Sequence, residues 1–237
     1  MKAPMTKPNT ELPAHIRKML RDSLLDQLSN EGILGFFEIE LFEFYISETE
    51  KVMTRMLEDE SAYLQEQLIV ENPDPNDSGM LAVDYHIRRV RYSNIIYLAS
   101  LLETCLQRAC TNLETIIGTE AIPFGLAELK GDQWSKRYRF LERYGCFELS
   151  KNLLTELETL TTIRNFLVHE NGSTEKIQSN KRDELNRCNG INVRNHEIRI
   201  EEAYVRHALG LVKQLVGELE SRLREVILRV KARQTSL

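Results

Sequence analysis

The sequence predicts an all-α protein, and three observations carry that prediction. Apolar residues recur three or four apart along most of the 237 positions, the spacing that lines one face of a helix. Start and stop residues punctuate those runs where helices need them: Pro13 in a first turn, Ser150 as a cap, Gly32, Gly118 and Gly145 at ends. Alternation with a period of two is confined to INVRNHEIRI, residues 191–200, which fits one small hairpin.

The first helix is expected from Leu12 to Asn30, with Ile16, Leu20, Leu24 and Leu28 at four-residue spacing. A second follows from Phe36 to Val70, its stripe formed by Leu41, Tyr45, Val52, Met56 and Tyr63. ENPDPNDSG, residues 71–79, then breaks the pattern with prolines, a glycine and small polar groups. The chain is divided there into a lead at 1–11, an acidic N-terminal helical segment at 12–75, and a second helical domain at 76–237.

That second domain opens with a long helix from about Leu81 to Ile117. A connector, TEAIPFGLAELKGD, leads to the short helix QWSKRYRFLERYG. Ser150 caps the next helix, which runs through His169. Residues 171–190 are polar and read as a long loop. The last helix spans about Glu201 to Lys231, with Tyr204, Ala208, Leu211, Leu215, Leu219, Leu223, Val226 and Val230 on one stripe. At 1.5 Å per residue it is about 45 Å long.

Composition narrows the function classes. Hydrophobic residues at 42 % and charged residues at 28 % suit an ordinary globular protein. No run approaches the roughly 20 apolar residues of a membrane span, and MKAPMTKPNTELP lacks the apolar core of a signal peptide. Cys105, Cys110, Cys146 and Cys188 form no CxxC pair, so reduced thiols and a cytoplasmic setting are expected. Residues 31–71 hold eleven Asp and Glu against Lys51 and Arg55. Basic residues gather instead at Lys130, Lys136, Arg137, Arg139 and Arg143, and at Lys176, Lys181, Arg182 and Arg187. With a net charge of −5, non-specific coating of nucleic acid is disfavoured, although a local basic cleft remains compatible.

Two charges stand where helical periodicity calls for core. On the helix ending in IRNFLVHENG, Arg164 falls inside the arc of Leu153, Leu157, Leu160 and Leu167. An isolated guanidinium is costly to bury, so it needs an anion, a partner surface or a wet cleft. Asn165 and His169, four apart, share a neighbouring face. On the long helix, Glu103 projects among Tyr92, Ile96, Ala99 and Cys110, and is the expected partner of Arg164. The plain reading of such a pair is an ion bridge that fixes helix register; it leaves Asn165 and His169 without a role. No metal cluster stands out among His15, His86, His196 and His207, and neither a Walker-type loop nor a GxSxG elbow is present.

The segment Arg164-Asn165-Phe166-Leu167-Val168-His169 resembles the signature of the HEPN superfamily: an arginine, four to six residues, then a histidine, often with a polar residue after the arginine. Glu103-Thr104-Cys105-Leu106-Gln107-Arg108 is similar to that superfamily's accessory Glu-x3-Lys-Arg motif, with Gln107 where lysine is usual. The resemblance covers about residues 80–232 and implies a HEPN-like helical bundle, to which the N-terminal segment adds a helical hairpin.

It also implies a metal-independent endoribonuclease, a toxin or defence effector, working without a cofactor. His169 would move protons and Arg164 would bind the scissile phosphate. Asn165 would orient the histidine or a phosphate oxygen, and Glu103, with Arg108 in support, would hold Arg164. Such nucleases commonly act as homodimers with two motifs facing one cleft, and an antitoxin or regulatory partner would restrain them. Some carry a tyrosine two residues after the histidine, where an antitoxin modifies it; here that position is Asn171. The alternatives are a non-catalytic HEPN-like module that binds RNA or nucleotide or scaffolds a complex, and a plain helical interaction protein.

Overall fold

The computed structural model describes residues 15–16, 18–20, 22–23, 36–69, 79–118, 122, 124–131, 133–145, 147–175, 179–194 and 196–235. The elements within them are α1 (Phe36–Ile69), α2 (Gly79–Ile117), a 3-10 turn (Leu126–Glu128), α3 (Gln133–Gly145), α4 (Lys151–His169), α5 (Ser179–Arg187), β1 (Ile191–Arg194), β2 (Glu197–Ile200) and α6 (Glu202–Thr235). The class is all-α, with one antiparallel hairpin as the strand content of the described residues. Residues 15–16, 18–20 and 22–23 are helical; Pro13, Leu24 and Leu28 of the first expected helix lie outside the described residues. No described helix is long and apolar enough to cross a membrane.

The chain forms two compact units, and both α2 and α6 contribute to each. One unit comprises Met1–Phe36, Glu103–Glu148 and Val216–Leu237. Its core takes Leu106, Cys110 and Leu113 from α2, Phe140 and Leu141 from α3, and Leu219, Leu223 and Ile227 from α6. Gly145 ends α3 close against Leu113, where an added Cβ would sit 3.3 Å from that side chain. Three basic residues of the 130–143 cluster have structural partners here. Arg137 donates from Nε to Gln107 (3.0 Å), Arg139 to the Lys130 carbonyl (3.2 Å), and Arg143 lies over the Phe124 ring.

The other unit comprises Phe37–Leu102 and Leu149–Leu215. Met53 of α1 packs with Val83 and Ile87 of α2. Between the same helices Glu50, 3 % exposed, accepts two hydrogen bonds from Arg91: Nε to Oε1 at 3.0 Å and Nη2 to Oε2 at 2.7 Å. Arg91 Nη1 continues to the Ile200 carbonyl of β2 at 3.4 Å. The hairpin pairs Ile191 with Ile200 and Val193 with Ile198, and the Tyr92 hydroxyl of α2 donates to the Ile198 carbonyl.

Two details depart from the sequence reading. Leu41, Tyr45 and Val52 of the expected stripe are exposed, and Ile39, Ile46 and Met53 on the opposite face of α1 are buried. The helix is apolar on both sides, and periodicity alone does not choose between them. The loop expected at 171–190 contains α5, nine residues with a single buried apolar anchor, Leu185. One leucine makes no stripe, although Lys, Arg, Glu and Leu are all good helix formers.

Two measurements follow. Burial, with Glu114 adding and Arg137 opposing, pushes the Cys110 thiol up to about 12 from 9.0. The unfolded chain ionises this thiol first, so its effect on stability is absent below pH 9 and becomes a loss as pH rises toward 12. In the native protein at pH 8, iodoacetamide should leave Cys105 and Cys110 unmodified by mass spectrometry until denaturant is added; rapid modification would contradict their burial. Replacing Glu50 with Ala should lower the urea-unfolding free energy by about 3 kcal/mol, because Arg91 keeps its charge without its counter-ion.

Candidate functional site at the end of α4

α4 starts at Ser150, whose Oγ accepts from the Leu153 N–H at 3.2 Å. Leu153, Leu157, Leu160, Ile163 and Leu167 form its buried stripe. Arg164, between Leu160 and Leu167, is half-buried: its Nε is inaccessible and lacks a hydrogen-bond partner. Its Nη1 donates to Asn165 Oδ1 at 3.0 Å. This contact turns the guanidinium toward the exposed side of the helix, where Asn165 lies and where His169, one turn on, is also exposed. Arg164 and His169 are separated by about 7.5 Å along the axis. Asn165 and His169 thus share one exposed edge of α4, and Arg164 reaches that edge through its hydrogen bond to Asn165.

The helix end is fixed by its own backbone and by its neighbours. The N–H groups of Glu170 and Gly172 both reach the Phe166 carbonyl at 3.1 Å. Asn171 is left-handed at φ 52°, a conformation asparagine tolerates better than most residues. Its Oδ1 accepts from Arg89 Nη1 of α2, and the Arg89 guanidinium lies 4.8 Å from the Tyr85 ring centroid. Gly172 at φ 81° passes so close to Tyr92 that a Cβ would lie 2.6 Å from the hydroxyl oxygen. The Ile198 N–H of β2 then binds the Gly172 carbonyl at 2.9 Å.

Arg164, Asn165 and His169 therefore lie on one helix end within one unit. Glu103, half-buried, and Arg108, exposed, belong to the portion of α2 in the other unit. Gln107 accepts from Arg137, which brings a guanidinium to this stretch of α2. Arg89 was missed by the sequence reading. Its signal was the run Arg88-Arg89-Val90-Arg91 within an otherwise apolar helix.

Three of the neighbouring cations are neutralised by structural partners. Arg88 pairs with Glu197, Arg91 with Glu50, and Arg199 with Asp84 at 3.1 Å. Together with exposed Arg194 they border a cleft of about 240 Å³ between α2 and the hairpin.

None of the protein families, curated proteins or solved structures compared with this chain matches it.

Gly172→Ala should destabilise the fold by about 2 kcal/mol or more, combining left-handed strain with displacement of Tyr92. Urea unfolding checks the magnitude. Amide exchange should show the extra opening concentrated at Phe166–Gly172, and unchanged exchange there would contradict the proposed anchoring.

Proposed function

We propose that the chain is a metal-independent endoribonuclease that uses Arg164 and His169 of α4. The observation that carries this reading is the Arg164–Asn165 hydrogen bond, which holds a guanidinium at the exposed face bearing His169. RNA brings its own nucleophile, the 2′-hydroxyl. Its oxygen attacks the adjacent phosphorus, a base removes its proton, and the 5′-oxygen leaves with a proton from an acid. The products are a 2′,3′-cyclic phosphate and a 5′-hydroxyl end.

The residue roles follow from their chemistry. His169 exchanges protons, since imidazole is the side chain suited to both directions near neutral pH. Arg164 binds two phosphate oxygens and meets the charge that develops on them. Asn165 keeps the guanidinium in place. Arg89, through Asn171, positions the turn behind His169. One histidine cannot be protonated and deprotonated at the same moment. A two-fold homodimer that sets a second Arg164–His169 pair opposite the first supplies the other role. Restraint by an antitoxin-like or regulatory partner fits an enzyme that attacks cellular RNA.

A labelled single-stranded RNA should be cleaved in EDTA by the wild-type chain. His169→Ala and Arg164→Ala should each lower the rate by about 100-fold or more while leaving the circular dichroism spectrum unchanged. Full activity in His169→Ala would overturn the reading. Absence of cleavage by pure wild type, with RNA still bound, would favour a non-catalytic binding module. Sedimentation of a cleaving species as a monomer would remove the dimeric cleft.

A further inference from the structure

α1 presents two apolar faces, of which the fold uses one. Ile39, Ile46 and Met53 are buried; half a turn away Phe37 (71 % exposed), Leu41, Phe44 (64 %), Tyr45 and Val52 face outward. Their spacing of three, four and seven residues places them in one continuous stripe. Isolated exposed apolar side chains are ordinary on a protein surface, whereas a stripe containing three aromatic rings marks an interaction surface.

Beside the stripe lies a cavity of about 510 Å³ between α1 and α2. Leu41, Phe42, Tyr45 and Tyr97 line it, with Phe42 and Tyr97 ring centroids 4.3 Å apart. Glu38 and Asn94 supply polar groups. Asn94 is only 2 % exposed, yet its Nδ2 has no hydrogen-bond partner. An incomplete buried amide at the cavity wall is completed by a bound group that offers it an acceptor.

Charge selects the occupant. Within α1, Glu50 is buried against Arg91, Glu43 pairs with Lys213 and Glu48 with Lys51. Glu38, Glu40, Glu58, Asp59 and Glu66 give its exposed surface an acidic excess over Lys51 and Arg55. Nucleic acid and anionic lipid are repelled by such a surface. Two copies of this face laid together would set glutamates against glutamates. A basic partner is attracted by it, and its apolar side chains find the stripe.

We infer that the outward face of α1 and its adjoining cavity are a docking groove for a basic amphipathic helix of a partner protein, with one bulky aromatic side chain seated between Tyr45 and Tyr97. In the helix-in-groove mode the partner helix supplies apolar anchors at i, i+3, i+4 and i+7. Phe37, Leu41, Phe44 and Tyr45, at i, i+4, i+7 and i+8 of α1, form one face for them to pack on. This inference is independent of the chemistry assigned to α4.

The test uses the full chain and a fluorescein-labelled 18-residue peptide of leucine and lysine in helical alternation, with one central tryptophan. Fluorescence anisotropy should show saturable binding. Replacing every lysine by glutamate, or scrambling the leucines off one face, should abolish it. Phe44→Ser and Leu41→Ser alter exposed side chains, so the fold should survive, and each should weaken binding about tenfold. Glu38→Lys together with Glu40→Lys should weaken it similarly and reduce its salt dependence. Equal binding of the glutamate or scrambled peptide, or no effect of Phe44→Ser, would overturn the proposal. A concentration-dependent dimer dispersed by Phe44→Ser would also overturn it, assigning the face to a second copy of this chain.

Discussion

The pairing of Glu50 with Arg91 decides which side of α1 turns inward. Either face of that helix is apolar enough to pack, so hydrophobic burial alone is nearly indifferent between the two. Rotating α1 by half a turn would bury Phe37, Leu41 and Phe44, but it would carry Glu50 into water and leave Arg91 without its carboxylate. Breaking a buried pair from one side costs about 3–5 kcal/mol, a large fraction of a domain's net stability. The pair need not add stability over an apolar replacement to fix the orientation. Its role is discrimination between two packings of similar hydrophobic worth.

The same guanidinium extends the constraint toward α4. Arg91 touches the Ile200 carbonyl, β2 binds the Gly172 carbonyl through Ile198, and Gly172 closes the turn that follows His169. A buried charge pair on α1 and α2 is thereby linked, through a four-residue strand, to the end of the helix that bears Arg164, Asn165 and His169. The candidate catalytic groups themselves are exposed or half-buried, while the parts that hold them are largely buried. This division suits the proposed contact with an RNA strand, in which exposed groups meet the ligand on a supported frame.

Much of this organisation was legible in the sequence because local chemistry is specific there. Ser150 at the start of α4, Gly118 and Gly145 at helix ends, and the alternation of Ile191, Val193, Ile198 and Ile200 each have few structural meanings. The irregular position of Arg164 was equally visible, since a guanidinium among leucines violates helical patterning. What was not legible depended on distant partners. The choice between the two faces of α1 rests on a residue 41 positions away in the chain. Arg89 acquires its role from Asn171, 82 positions distant. α5 was hidden because packing reduces to one leucine. The hydrogen bond from Arg164 to its sequence neighbour Asn165 likewise is not encoded in periodicity.

The close passage of Gly172 over the Tyr92 ring has a consequence for how this protein can change over generations. Neither position can drift freely: a side chain at 172 needs both a right-handed backbone and a smaller neighbour at 92. Loss of the tyrosine in turn strips the Ile198 carbonyl of its hydroxyl donor. Descendants that enlarge one site should therefore shrink the other and repair the hairpin, so three positions far apart in the chain should vary as a unit.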